Sequence, residues 1–151
     1  MAFYLCPWIA TLEKHLLLCP QPVRRQHADR IEAFVLSLAP EADYSREFVY
    51  FRVTGFRPAG VPIETCPGKL LRRDLLRLLG RLSESAPTEA ALAPEKVFTF
   101  EDLAARFRVS PRTVLRWRER GLVSRKYVFP DGRLRAGVRQ GALLRFVEHN
   151  K

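Results

Sequence analysis

The stretch Phe100-Glu-Asp-Leu-Ala-Ala-Arg-Phe-Arg-Val-Ser-Pro-Arg-Thr-Val-Leu-Arg-Trp-Arg-Glu119 decides the fold, because it spells two short helices joined by a tight turn. Thr99 can cap the first helix, and Asp102 stands near the end of its first turn, where a negative charge meets the positive end of the helix dipole. Leu103, Ala104 and Phe107 recur at helical spacing and form the expected inward face, with Ala104 small where the two helices approach. Val109 plugs the turn. Arg108 occupies the turn position where a positive φ, and hence glycine, is common. Ser110 can cap the second helix, Pro111 suits its first position, Val114 and Trp117 return to the core, and Gly121 is the stop.

The outward residues of that second helix are Pro111, Arg112, Thr113, Arg116 and Arg120; with Ser110 they make a basic face near the helix N-terminus. Such a face, on such a pair of helices, is what enters the major groove of double-stranded DNA. Downstream, Leu122–Phe129, Pro130-Asp131-Gly132 and Arg133–Val138 spell strand, turn and strand. Arg125, Lys126, Arg133 and Arg135 are the cations of this hairpin that could reach phosphates. A last helix from about Gln140 carries Ala142, Leu143, Phe146 and Val147 on one side. The expected core therefore draws on Leu103, Phe107, Val109, Val114, Trp117, Leu122, Val128, Leu143, Phe146 and Val147.

Taken together, Phe98-Thr-x-Glu-Asp-Leu-Ala, Val109-Ser-x-x-Thr-Val-x-Arg-Trp117, Gly121-Leu122, the basic hairpin and Leu143-x-x-Phe146-Val147 resemble the MerR/excisionase class of winged helix-turn-helix domains over about 55 residues. The resemblance implies duplex DNA as partner and the hairpin as the wing. In addition, Phe51-Arg-Val-Thr-Gly-Phe-Arg-Pro58, the helix through Asp74-Leu75 and the same C-terminal segment are similar to the N-terminal extension of some planctomycete RNA polymerase sigma factors. That likeness implies a truncated relative or a stand-alone bacterial regulator, with RNA polymerase or another transcription protein as a second partner.

Upstream of the quoted stretch, Leu5–Leu18 and Pro22–Leu38 are expected to be helical. The run Glu47-Phe-Val-Tyr-Phe-Arg-Val-Thr54, rich in aromatic and β-branched residues, predicts a strand. Gly55–Pro67 predicts a loop with a short extended piece at Val61–Ile63. After it comes a periodic helix with Leu70, Leu71, Asp74, Leu75, Leu78, Leu79 and Leu82 on one face and Lys69, Arg72, Arg73, Arg77 and Arg81 largely elsewhere, a pattern expected of a solvated face. Ser83–Pro94 has linker composition. The expected architecture is α+β and mainly helical: a helical domain with a short strand or hairpin over residues 1–82, a linker over 83–95, and a winged helix-turn-helix domain over 96–151.

Charge supports that division. Met1–Glu95 holds 12 Lys or Arg against 11 Asp or Glu, whereas Lys96–Lys151 holds 14 against 5, so almost all of the formal +10 lies after Glu95. A phosphate backbone is the usual partner of so basic a small domain. The three cysteines, Cys6, Cys19 and Cys66, form no recognisable framework, which predicts free thiols in a reducing bacterial cytoplasm, at the nucleoid. Met1–Leu18 lacks a preceding basic residue and is interrupted by Glu13-Lys14-His15, so neither a signal peptide nor a membrane association is expected. Gly68-Lys69 lacks the surrounding glycine pattern of a phosphate loop, and no zinc spacing is present. No enzyme activity, cofactor or metal is therefore expected. The competing expectation is a protein-interaction module docking on polymerase or another regulator, with only non-specific DNA binding.

Overall fold

A computed structural model describes residues 4–150; Met1–Phe3 and Lys151, the outermost residues of the two expected domains, lie outside the described residues. The chain is α+β and mainly helical, and divides into two compact units, Met1–Ala86 and Pro87–Lys151. Among the described residues no helix is long and apolar enough to cross a membrane.

In the first unit, helices α1 (Pro7–Leu17), α2 (Gln21–Ser37), α3 (Arg46–Thr54) and α4 (Gly68–Ser85) enclose a core in which Ile9, Ile31, Val49, Val53, Leu71, Leu75, Leu78 and Leu79 are fully buried. Two three-residue strands, β1 (Asp43–Ser45) and β2 (Thr65–Pro67), pair antiparallel at the starts of α3 and α4. The strand expected over Glu47–Thr54 is instead α3. Ser45 caps it by accepting a hydrogen bond from the Phe48 amide, and Gly55 ends it in the left-handed conformation at φ 84°. The Arg30 guanidinium donates to the last-turn carbonyls of Phe51 and Arg52. Buried Val49, Tyr50 and Val53 form a helical stripe, so packing and capping override the β propensity of the run. Val61–Ile63 forms no strand; pairing begins at Thr65.

Asp74, on the apolar face of α4, is buried because its carboxylate accepts from the Leu5 and Cys6 amides, at 2.9 and 2.7 Å. It thereby caps the start of α1, which has no side-chain cap of its own. The same corner is closed by a disulfide between Cys6 and Cys66, which corrects the expectation of three free thiols; Cys19 alone is unbonded among them. The spacing in sequence hid the pair, because 60 residues separate the two cysteines and only the meeting of α1 with β2 joins them. Closing a loop of that length contributes about 4 kcal/mol by restricting the unfolded chain.

The second unit contains β3 (Thr88–Glu89), β4 (Val97–Thr99), α5 (Phe100–Phe107), α6 (Pro111–Arg116), β5 (Arg125–Val128), β6 (Leu134–Arg139) and α7 (Gln140–His149). Its sheet has the order β3-β5-β6-β4, with β3 parallel to β5 and the other pairs antiparallel. The expected linker is therefore ordered for much of its length: Ser83–Ser85 complete α4 and Thr88–Glu89 join the sheet. Leu103, Val114, Leu122, Tyr127 and Val138 form the centre of the core.

Five expected core residues are not fully buried, Val109 and Trp117 being half-buried. Phe107 and Val147 lie at the rim, 37% and 36% exposed. Val128 is only half-buried, because β5 turns Arg125 and Tyr127 inward and Lys126 and Val128 outward. In a strand a one-residue phase change exchanges the two faces.

Candidate nucleic-acid interface

Helix α5 starts on a reciprocal cap: the Thr99 hydroxyl accepts from the Asp102 amide at 3.0 Å, while the Asp102 carboxylate accepts from the Thr99 amide at 2.9 Å. It ends at Arg108, whose φ of 56° and ψ of 46° place a non-glycine residue in the left-handed region. The Val109 amide then donates to the Ala104 carbonyl, completing the turn. Ser110 caps α6 by accepting from the Thr113 amide at 3.2 Å, and Pro111 fills the first helical position. The local signals for both helix starts, read from the sequence, thus coincide with the caps observed.

Helix α6 is short. After Arg116 the chain tightens into a 3-10 turn, Trp117–Arg120, that closes at Gly121 with φ 108°. Trp117 is half-buried, packed edge-on against Phe107 and tilted against Phe146, each ring centroid 5.5 Å away. The change from 3.6 to about three residues per turn alters which residues point outward. Arg118 is consequently exposed alongside Arg112, Arg116 and Arg120, although helical phase alone did not single it out. Arg108 in the turn is exposed as well; its unusual backbone position was the signal available in the sequence. None of these five arginine side chains has a hydrogen bond or ion pair to another described residue. Thr113 is half-buried, and Ser110 and Pro111 are exposed at the helix start.

The hairpin cations are less uniform. Arg133 is exposed and Lys126 half-buried. Arg135 pairs with Asp131 across the turn, and the Asp131 carboxylate also accepts from the Arg133 amide at 2.9 Å. That backbone hydrogen bond, with the charges of Arg135 and Arg133, holds the Asp131 carboxyl below its ordinary range. Arg125 is corrected as a surface contact: it is only 2% exposed, its guanidinium donates to the Thr88 hydroxyl, and it lies 5.3 Å from the centre of the Tyr127 ring. Its inward place follows from the phase of β5, and strand β3, which supplies Thr88, was not legible in the linker composition.

No protein-family model matches the chain, and neither a curated protein nor a solved structure matches it. A row of exposed, unpaired guanidinium groups, held on a capped helix and its flanking turns, suits a polyanion. A cleft beside the hairpin tip is less suited, since Glu101, Asp102 and Asp131 line it together with Arg133 and Arg135. Among the described residues no three His, Cys, Asp or Glu side chains come together as a metal-binding group.

Proposed function

We propose that the second unit is a winged helix-turn-helix domain of the MerR/excisionase kind that binds double-stranded DNA, and that the protein is a non-catalytic transcription regulator or sigma-factor-like accessory. The observation that carries this reading is the set of exposed, unpaired arginines Arg108, Arg112, Arg116, Arg118 and Arg120 around α6. Side chains at the start of such a helix read base edges, and guanidinium groups beyond it grip phosphates. Arg112 and Arg116 take the reading role, with Ser110 and Thr113 at the helix start. Lys126, Arg133 and Arg135 of the hairpin act on the backbone. Charge alone would also suit an anionic membrane surface, but fixed cations on a short capped helix favour a groove over a fluid surface.

Selection of bound sites from random duplexes by the full chain tests the proposal, with affinity followed against salt. A preferred sequence should emerge. Affinity should fall by about 10²-fold or more between 50 and 200 mM salt if several phosphates are contacted. Arg116→Ala should cost about 1–3 kcal/mol on the preferred site and leave the unfolding midpoint nearly unchanged. A flat salt response with no selected sequence, together with stable capture of polymerase, would transfer the function to protein docking.

A further inference from the structure

We propose that Leu115 is a specificity-determining residue of the α6 face: it packs on the 5-methyl group of a thymine, beside Arg112 and Arg116, which each read a guanine. The inference rests on the proposed reading of duplex DNA by α6 and names the bases that this face recognises. Leu115 is 47% exposed, whereas its neighbour Val114 is fully buried and Trp117 half-buried. Leu115 and Arg116 follow Arg112 by three and four residues, which puts the three exposed side chains on one face of α6, opposite Val114. A leucine there contributes little to the fold, since much of its apolar surface stays in water.

The chemistry of the segment narrows what it can read. Between Ser110 and Gly121 there is no Asn or Gln, the residues that pair with adenine through two hydrogen bonds. The Ser110 and Thr113 hydroxyls lie 3.1 Å apart and Ser110 accepts from the Thr113 amide, so both are engaged in the cap. Hydroxyls also pair with several bases alike. The one carboxylate of the segment, Glu119, lies past the helix on the 3-10 turn. What remains on the helix is two guanidinium groups, whose N–H donors match the O6 and N7 acceptors of guanine, and one aliphatic side chain, which matches the thymine methyl. Four residues of helix advance about 6 Å, close to two base-pair steps of about 3.4 Å, so the three contacts fall within about four base pairs. A protein partner suits the leucine less well. The residues one turn before and after it, Pro111, Arg112, Arg118 and Glu119, are all exposed, and three of these four are charged. Leu115 is thus a single apolar spot in a polar surface, which fits a methyl group in a groove better than an apolar docking face.

The test uses the full chain. Duplexes selected from random sequence at moderate salt should share two guanines and a thymine, on either strand, within about four base pairs. Deoxyuridine in place of that thymine removes only the methyl group and should weaken wild-type binding about fourfold, the effect of one buried methyl. Leu115→Ala should bind the thymine and deoxyuridine duplexes alike and, because the side chain is exposed, keep its unfolding midpoint. Replacing either guanine by 7-deazaguanine should weaken wild type about tenfold. The same replacement should cost nothing further in whichever variant, Arg112→Ala or Arg116→Ala, lacks the arginine that reads it. Tolerance of deoxyuridine by wild type, an equal loss in Leu115→Ala, or selected sites without guanine overturns the proposal. Selected sites whose recognition depends on Arg112 and Arg116 but on no thymine methyl leave the reading of α6 standing and remove Leu115 from it. If no sequence is selected, both readings fall, and a loss of RNA polymerase capture in Leu115→Ala would then assign the leucine to protein docking.

Discussion

Arg108 is the one non-glycine residue with a positive φ among the described residues. A side chain at φ 56° carries a cost of about 1–2 kcal/mol relative to the right-handed region, and glycine would remove most of it. The guanidinium there is exposed and has no partner within the described residues, so no contact among them offsets the cost of an arginine in this turn. Arg108→Gly should raise the stability of the second unit by about 1 kcal/mol and reduce the salt slope of duplex binding by about 1, measured by thermal melts and salt titration. Unaltered binding would make Arg108 a strained turn residue and nothing more. His27 provides the residue-scale prediction for the first unit. Burial, and then the charge of Arg30 one turn away, lower its pKa from the ordinary 6.5. The folded state then binds fewer protons than the unfolded state in the window below pH 6.5. Stability therefore falls as pH drops through that window and levels off once the folded imidazole is also protonated. Melts of the full chain between neutral and mildly acidic pH should show this fall, and His27→Gln should flatten it.

At the scale of an element, α4 holds two glycines with opposite demands. A Cβ at Gly68 would lie 2.3 Å from the Ala39 carbonyl oxygen and 2.9 Å from that of Ala42, while at Gly80 it would meet nothing within 4 Å. Gly68→Ala should thus cost about 1–3 kcal/mol, because the loop before β1 must be pushed away. Gly80→Ala should add about 0.5–1 kcal/mol, because a mid-helix glycine only enlarges the entropy of the unfolded chain. Denaturant midpoints of the two variants should move in opposite directions; movement in the same direction would contradict the close approach at Gly68. Helix α3 illustrates the limit of local reading. Its residues favour a strand one by one, yet Ser45, Gly55 and the Arg30 guanidinium satisfy both helix ends, and all three lie outside the run itself. The hairpin strand β5 was recognised as a strand but not in its phase, since Val128 and Tyr127 are both apolar enough to claim the core.

For the whole molecule, the boundary between units decides what can be taken apart. Charge and composition place the break at Glu95, but Thr88 and Glu89 pair with Tyr127 and Val128, and the Glu95 carboxylate accepts from the Gly141 amide at 2.6 Å at the start of α7. A fragment of residues 96–151 loses these contacts and the Thr88 hydroxyl that meets buried Arg125. A fragment of residues 87–151 should therefore be more stable by about 1–3 kcal/mol, the usual penalty for removing a partner from a buried charged group. Urea unfolding of the two fragments compares them directly. Equal stability would mean that β3 contributes nothing to the second unit.

The sequence by itself determined the features written within a few residues: the caps Thr99 and Ser110, the stop at Gly121, the alternation of leucines and cations along α4, and the concentration of charge after Glu95. Those signals need only the helix period and the chemistry of a nearby backbone amide. The tertiary structure alone decided the features that depend on residues far apart in the chain. Cys6 meets Cys66, Asp74 caps α1, Arg30 closes α3, and Thr88 of β3 meets the inward Arg125, because each pairing is made by the packing of separate elements and leaves no period or spacing in the sequence to announce it.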